Sequence, residues 1–199
     1  LIADRSYSST QDFGLTLDDL GNAVVAYRQN MILGGDGVVV TSVNTSGDIN
    51  WNTTVQVADG SFIGSPAITA TPTGVVVGWI SDEQSKFQHV GFKGSQFWNP
   101  ILELSDPNGG SLSVADIQPS LDGSVIASFV QYTTFWGTKR LLAQRISSTG
   151  TSMWEEHVEV MQTNSLQIGS YPHFISDGIG GSFFTWYGVS PLQCYANHI

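Results

Sequence analysis

One spacing recurs three times along the chain and limits what it can fold into. A glycine is followed four residues later by a tryptophan, and two apolar positions follow at fixed distance. The sets are Gly47, Trp51, Val55 and Val57; Gly94, Trp98, Leu102 and Leu104; Gly150, Trp154, Val158 and Val160. A ruler kept through three copies means that one structural unit is repeated, and each unit buries its apolar face only by stacking on a neighbour.

Ahead of each motif lies a second recurring element, a glycine-marked turn leading into an apolar strand that ends in an aromatic. Its copies are Gly21 to Tyr27, Gly74 to Trp79, Gly123 to Phe129 and Gly181 to Trp186, and the closing aromatics stand 52, 50 and 57 residues apart. Runs such as Val75-Val76-Val77 are β-branched and apolar on both faces, the pattern of a strand covered on both sides. Only 12% of residues are charged, while there are 22 glycines and 6 tryptophans. That composition suits short strands and tight turns better than helices. The expectation is an all-β chain, a β-propeller of about four blades with four strands each and about 50 residues per repeat. The units fall near 1–58, 59–105, 106–161 and 162–199, in a single propeller domain. Aligning Ala143 to Ile146 with Ala196 to Ile199 leaves the last unit without its outer strand. Leu1-Ile2-Ala3-Asp4 aligns with Gln56-Val57-Ala58-Asp59 and reads as the tail of such a strand.

Each repeated residue has an expected structural task. Gly47, Gly94 and Gly150 are placed at positive φ in the turn between third and fourth strands. Trp51, Trp98 and Trp154 are expected to pack between blades, each indole N–H donating to a backbone carbonyl.

Two of these turns, Asn44-Thr-Ser-Gly-Asp-Ile-Asn-Trp51 and Ser147-Ser-Thr-Gly-Thr-Ser-Met-Trp154, resemble the tryptophan-docking motif of propellers with PQQ-type repeats. The wider pattern, including Leu142-Ala-Gln-Arg-Ile146 with its glycine-rich turn, is similar to repeats of large secreted and surface-attached propeller proteins. The resemblance covers three of the four units and implies a fold. The quinoprotein enzymes of that group need eight blades and a cofactor pocket, which this chain is too short to supply. No cofactor is therefore expected.

The search for chemistry finds little. The histidines His89, His157, His173 and His198 fall in different units with no metal-ligand spacing, so no metal site is expected. Asp18, Asp122 and Asp177 occupy equivalent turns, where an aspartate ordinarily bonds its own backbone. The single cysteine, Cys194, excludes an internal disulfide framework. Seven basic against 17 acidic residues give a net charge of −10, which repels phosphate backbones and argues against nucleic acid. No run of about 18 apolar residues calls for membrane insertion.

Binding is expected in the loops between second and third strands: Arg28 to Gly37, Asp82 to Lys86, Gln131 to Lys139 and Gly188 to Leu192. The third places Tyr132, Phe135 and Trp136 where aromatics suit sugar stacking or a protein contact, or else cover the blade end. Asn44 and Asn52 open two glycosylation sequons. These features lead to the expectation of a non-enzymatic, extracellular or cell-surface module that binds protein or glycan, with self-association through open blade edges. The alternatives are a structural subunit of a larger propeller or extracellular filament, and a glycan-active enzyme of glycosidase type with carboxylates drawn from several blades.

Overall fold

β-branched runs separated by glycine turns become four antiparallel meanders in the computed structural model, which describes residues 13–30, 35–57, 63, 64, 66–161 and 164–199. The expected strand tail at Leu1 to Asp4 and the expected unit boundary near residue 58 lie outside the described residues.

The first sheet holds β1 (Phe13–Leu17), β2 (Ala23–Asn30), β3 (Asp36–Val43) and β4 (Ile49–Gln56), hydrogen-bonded in chain order. The second holds β5 (Ala67–Thr71), β6 (Gly74–Ser81), β7 (Gln84–Gly91) and β8 (Leu102–Leu104). The third holds β9 (Ser111–Pro119), β10 (Val125–Tyr132), β11 (Arg140–Ile146) and β12 (Val158–Glu159). The fourth has three strands among the described residues, β13 (Phe174–Ser176), β14 (Ser182–Tyr187) and β15 (Cys194–His198). The first strands β1, β5, β9 and β13 pack side by side. Each sheet is thus a blade whose first strand lies innermost.

The core is divided between blades. Val24, Ala26, Val38 and Val40 of the first blade pack on Ile68, Val75, Val77 and Trp79 of the second. Val76, Phe87 and Leu104 on the other face of the second blade meet Ile117, Val125, Ala127 and Phe129 of the third. Ile126, Val130 and Leu141 then meet Phe174, Phe184 and Trp186 of the fourth. Strands such as β6 are buried along their whole length because both faces are covered. Each such side chain contributes roughly 1.5–3 kcal/mol relative to exposure.

The glycines of the repeat have φ of +89° (Gly47), +80° (Gly94) and +82° (Gly150), in the left-handed region that disfavours other residues. Trp98 seats itself on the Gly150 turn of the next blade, and a Cβ at Gly150 would come within 2.7 Å of its indole ring. Trp51 sits in the same way against Gly94, where a Cβ would meet its ring at 3.2 Å.

The expected hydrogen bond is made by Trp98, whose Nε1 donates to the Ser148 carbonyl at 3.0 Å. It is not made by Trp51, whose Nε1 is buried without a partner among the described residues. Trp98 and Trp154 also precede their fourth strands rather than opening them. Beyond Trp98 stands Pro100, which has no N–H to give a ladder, so pairing resumes only at Leu102. A glutamine compensates in both blades. Gln88 accepts from the Trp98 N–H and donates to the Trp98 carbonyl, each at 3.0 Å. Gln144 clamps Trp154 likewise, at 3.1 and 3.2 Å. The sequence signal for this clamp was the glutamine ten residues before each tryptophan.

Candidate functional site

Carboxylates, hydroxyls and aromatic rings converge at one place, the boundary between the second and third blades. The link from β6 to β7 is expected from sequence as a loop from Asp82 to Lys86. It is instead a two-residue hairpin, closed by pairing of Ser81 with Gln84. Its corner residues Asp82 and Glu83 have φ of +51° and +67°. Such a turn ordinarily takes Asn-Gly, Asp-Gly or Gly-Gly, so Asp82 suits its place while Glu83 stands in left-handed backbone where glycine is usual. Strain of this kind gathers at functional sites.

The hairpin is tied to the neighbouring blade. The Leu112 N–H at the start of β9 donates to the Glu83 carbonyl at 2.8 Å, and the Ser85 hydroxyl donates to the Leu112 carbonyl at 2.7 Å. The space above this junction is an open cavity of about 510 Å³ lined by Ile80, Asp82, Glu83, Ser111 and Tyr132. Tyr132 ends β10 directly opposite Ser111 in the register. Nearby, the Tyr171 phenol is pushed up by burial, although a bond with Ser113 opposes the shift.

Of the aromatic residues expected at the binding loop, Tyr132 is half-buried at the cavity wall, while Phe135 and Trp136 stand out in solvent. Trp136 is 81% exposed, which excludes the reading that it covers the blade end. Its ring meets that of Phe135 edge-on at 5.0 Å. Behind them lies the buried Lys139, whose Nζ donates to the carbonyls of Phe135 (2.5 Å) and Gly137 (3.4 Å). The same ammonium lies 5.0 Å from the Tyr132 ring centroid and 5.6 Å from that of Phe135. Lysine and aromatics therefore fix the loop from within.

Asp106 is tied to Gln131, the neighbour of Tyr132. Burial alone would raise the Asp106 carboxyl. Hydrogen bonds from the Asn108 backbone, the Gln131 side chain, the Gly110 backbone and the Asn108 side chain outweigh that and hold it below the usual range. Gln131 stands 2.6 Å away, next to Tyr132.

The remaining candidates disperse. Asp18 and Asp177 bond their own turns, with Asp18 Oδ1 accepting from Leu20 and Asn22 and Asp177 Oδ1 from Ile179 and Gly181. Asp122 departs from the expectation: it is exposed at φ +57°, and the Ser124 hydroxyl closes that turn on the Leu121 carbonyl. His89 is buried beside Thr71 and Thr73, His173 lies 3.3 Å from Asp116, and His198 lies 2.7 Å from Asp177. Among the described residues no three His, Cys, Asp or Glu side chains converge as a metal site. Asn52 is exposed on β4, whereas Asn44 spends its side-chain oxygen on the N–H groups of Ser46 and Asp48.

No family model matches the chain, and no curated protein matches it. Among solved structures it is similar to the alpha-L-arabinanase of Penicillium chrysogenum in complex with arabinobiose, with a TM-score of 0.62 and 11% sequence identity. The match covers 96% of this chain and 62% of the arabinanase chain.

The chain is a β-propeller. The comparison corrects the expectation of a non-enzymatic binding or assembly module. The propeller that it resembles is an enzyme, so the expectation that the chain is non-enzymatic does not stand. Asp82 and Glu83 sit in a two-residue turn, beside Ser111 and Tyr132, which lie about 30 and 50 positions further along the chain.

Proposed function

We propose that this propeller acts on glycans as a glycoside hydrolase, with its sugar site in the cavity between the second and third blades. The observation that carries the reading is the acidic hairpin Asp82-Glu83, held in left-handed backbone at the wall of that cavity. Glycoside hydrolysis needs one carboxylic acid to protonate the departing oxygen and one carboxylate on the other side of the anomeric carbon. Asp82 and Glu83 are the two carboxylates that line the cavity, and they are the candidates for these roles. Ser111 and Tyr132 offer hydroxyls to ring substituents, and Trp136 with Phe135 gives an apolar platform for a further sugar ring. The net charge of −10 disfavours anionic polysaccharides and points to neutral oligosaccharides, with arabinose-containing chains as the first class to try. The reading places the protein outside the cell, and the Gly-x-x-x-Trp turns support grouping it with repeat propellers of that kind.

The test is sugar release from a panel of neutral glycans by the wild-type chain and by Asp82→Asn and Glu83→Gln. Each variant is expected to lose at least about a hundredfold in turnover while retaining glycan binding. A panel with neither release nor binding would reject the proposal. Release unaffected by both substitutions would reject the assigned residues.

A further inference from the structure

Resting on the glycan reading, we infer that the sugar site continues from the cavity onto the fourth blade, where Tyr171 and His173 bind further units of an oligosaccharide. Ring-bearing side chains lead away from the cavity, each set against a buried polar group. Tyr132 stands at the cavity wall with the Lys139 ammonium 5.0 Å from its ring centroid. Tyr171 comes next, its phenol bonded with Ser113 and interacting electrostatically with the Tyr132 phenol. His173 follows, its Nδ1 3.3 Å from the Asp116 carboxylate. Lys139, Ser113 and Asp116 are buried, whereas Tyr171 and His173 are exposed.

The strand beneath them sets this order. Leu112, Val114 and Ile117 of β9 join the apolar cluster shared with the second blade, which sends Ser111 and Ser113 to the opposite side. A register shift leaves Ala115 as an extra residue, and this bulge keeps Asp116 on the side of the two serines. Strand rise places Ser111 and Asp116 about 15 Å apart, longer than a single sugar ring. The fourth blade lies alongside, with the Phe174 N–H donating to Asp116 Oδ2 at 3.2 Å. Asp116 also accepts from the Ile117 N–H and the Gln118 side chain, so the carboxylate is fixed before a ligand arrives. Nδ1 of His173 is turned to that carboxylate, which leaves Nε2 for a ligand hydroxyl.

The blade fold does not call for this pair. In the first and second blades the equivalent places, one residue before the strand partners of Val25 and Val77, are held by Gly14 and Ala67. Asp116 and His173 stand one residue before the partners of Ala127 and Phe184. Small residues therefore serve the repeat, and a linked acid and imidazole stand only where the cavity's third blade meets the fourth. A phenol ring and an imidazole with one free nitrogen suit the apolar faces and hydroxyls of a sugar.

The experiment titrates the 199-residue chain with neutral arabinose oligosaccharides, from disaccharide to hexasaccharide, by isothermal calorimetry. Affinity for the wild-type chain should rise with oligosaccharide length. Tyr171→Ala and His173→Ala should each weaken the hexasaccharide at least about tenfold and the disaccharide by less. His173 is mostly in solvent, so His173→Ala should keep its unfolding midpoint within about 1 °C. Asp116→Asn should reproduce the length-dependent loss of His173→Ala and add nothing to it in the double variant. Additive losses would overturn the role of Asp116 through His173. Affinity that is independent of length, or that both alanine variants keep at the wild-type level, overturns the inference while leaving the cavity reading in place. Absence of binding at every length rejects the glycan reading itself, and this inference with it.

Discussion

The indole N–H of Trp98 donates to the carbonyl of Ser148 across a blade boundary, 3.0 Å away and 50 residues along the chain. The same ring lies where a side chain at Gly150 would have to go. One residue thus both bonds to and excludes volume from its neighbour's turn, and the two effects can be measured apart.

Gly47 and Gly150 share the same left-handed backbone, but only Gly150 faces an indole at 2.7 Å, while nothing lies within 4 Å of a Cβ at Gly47. Gly47→Ala should cost about 1–2 kcal/mol from backbone strain alone. Gly150→Ala should cost roughly 1–3 kcal/mol more from displacement of Trp98. Urea unfolding of the two variants gives the difference directly, and equal costs would show that the docked ring yields freely.

Trp51 and Trp98 should respond differently to loss of the ring nitrogen. Trp98→Phe forfeits a made hydrogen bond and should lose about 1 kcal/mol beyond the packing change. Trp51→Phe removes a buried, unpartnered donor and should be neutral or stabilising apart from volume. Thermal unfolding of both variants decides it.

Acid should weaken the fold in two stages. Burial holds the His89 imidazole below its ordinary value, so it takes up its proton at lower pH in the folded chain than in the unfolded one. The unfolded chain takes up that proton first, and stability falls once pH drops below about 6.5. Asp177 is held below the carboxylate range chiefly by the bond with His198, with further bonds from the backbone of Ile179 and Gly181, and Asp106 is also low. The stability tied to these carboxylates is present above about pH 4 and is lost as pH falls through their folded values. Unfolding measured from pH 8 to pH 3 should show both stages, with His89→Gln removing the upper and Asp177→Asn flattening the lower.

Trp136→Ala should lower affinity for a bound oligosaccharide at least about tenfold, the loss expected of an exposed aromatic anchor. It should leave the unfolding midpoint within about 1 °C, since the ring is mostly in solvent. Lys139→Met should also weaken binding, through a loosened loop, and should show faster amide exchange over residues 133–138. Isothermal titration with and without these substitutions is the measurement.

The fold was legible because blade formation is local. Gly47, Gly94 and Gly150 mark turns that only left-handed backbone closes, and β-branched runs such as Val75 to Val77 announce strands covered on both faces. The acidic site was not legible for a physical reason. Asp82-Glu83 lacks the glycine or asparagine that signals a tight hairpin, so the turn reads as a longer loop. Its partners Ser111 and Tyr132 reach it through a bond between blades, from Leu112 to Glu83, which no periodicity encodes. The aromatic loop was visible as composition, whereas Lys139 behind it looked like any surface cation.

Among the described residues the three buried clusters share no residue, and each joins one blade to the next. Such a stack has no centre to melt. Heat or denaturant should peel it from the outermost sheets inward, and a lesion in one slab should shorten the lifetime of its two neighbours while distant slabs keep theirs. For the cavity that arrangement is protective: both blades that form it lie inside the row, last to be reached from either side.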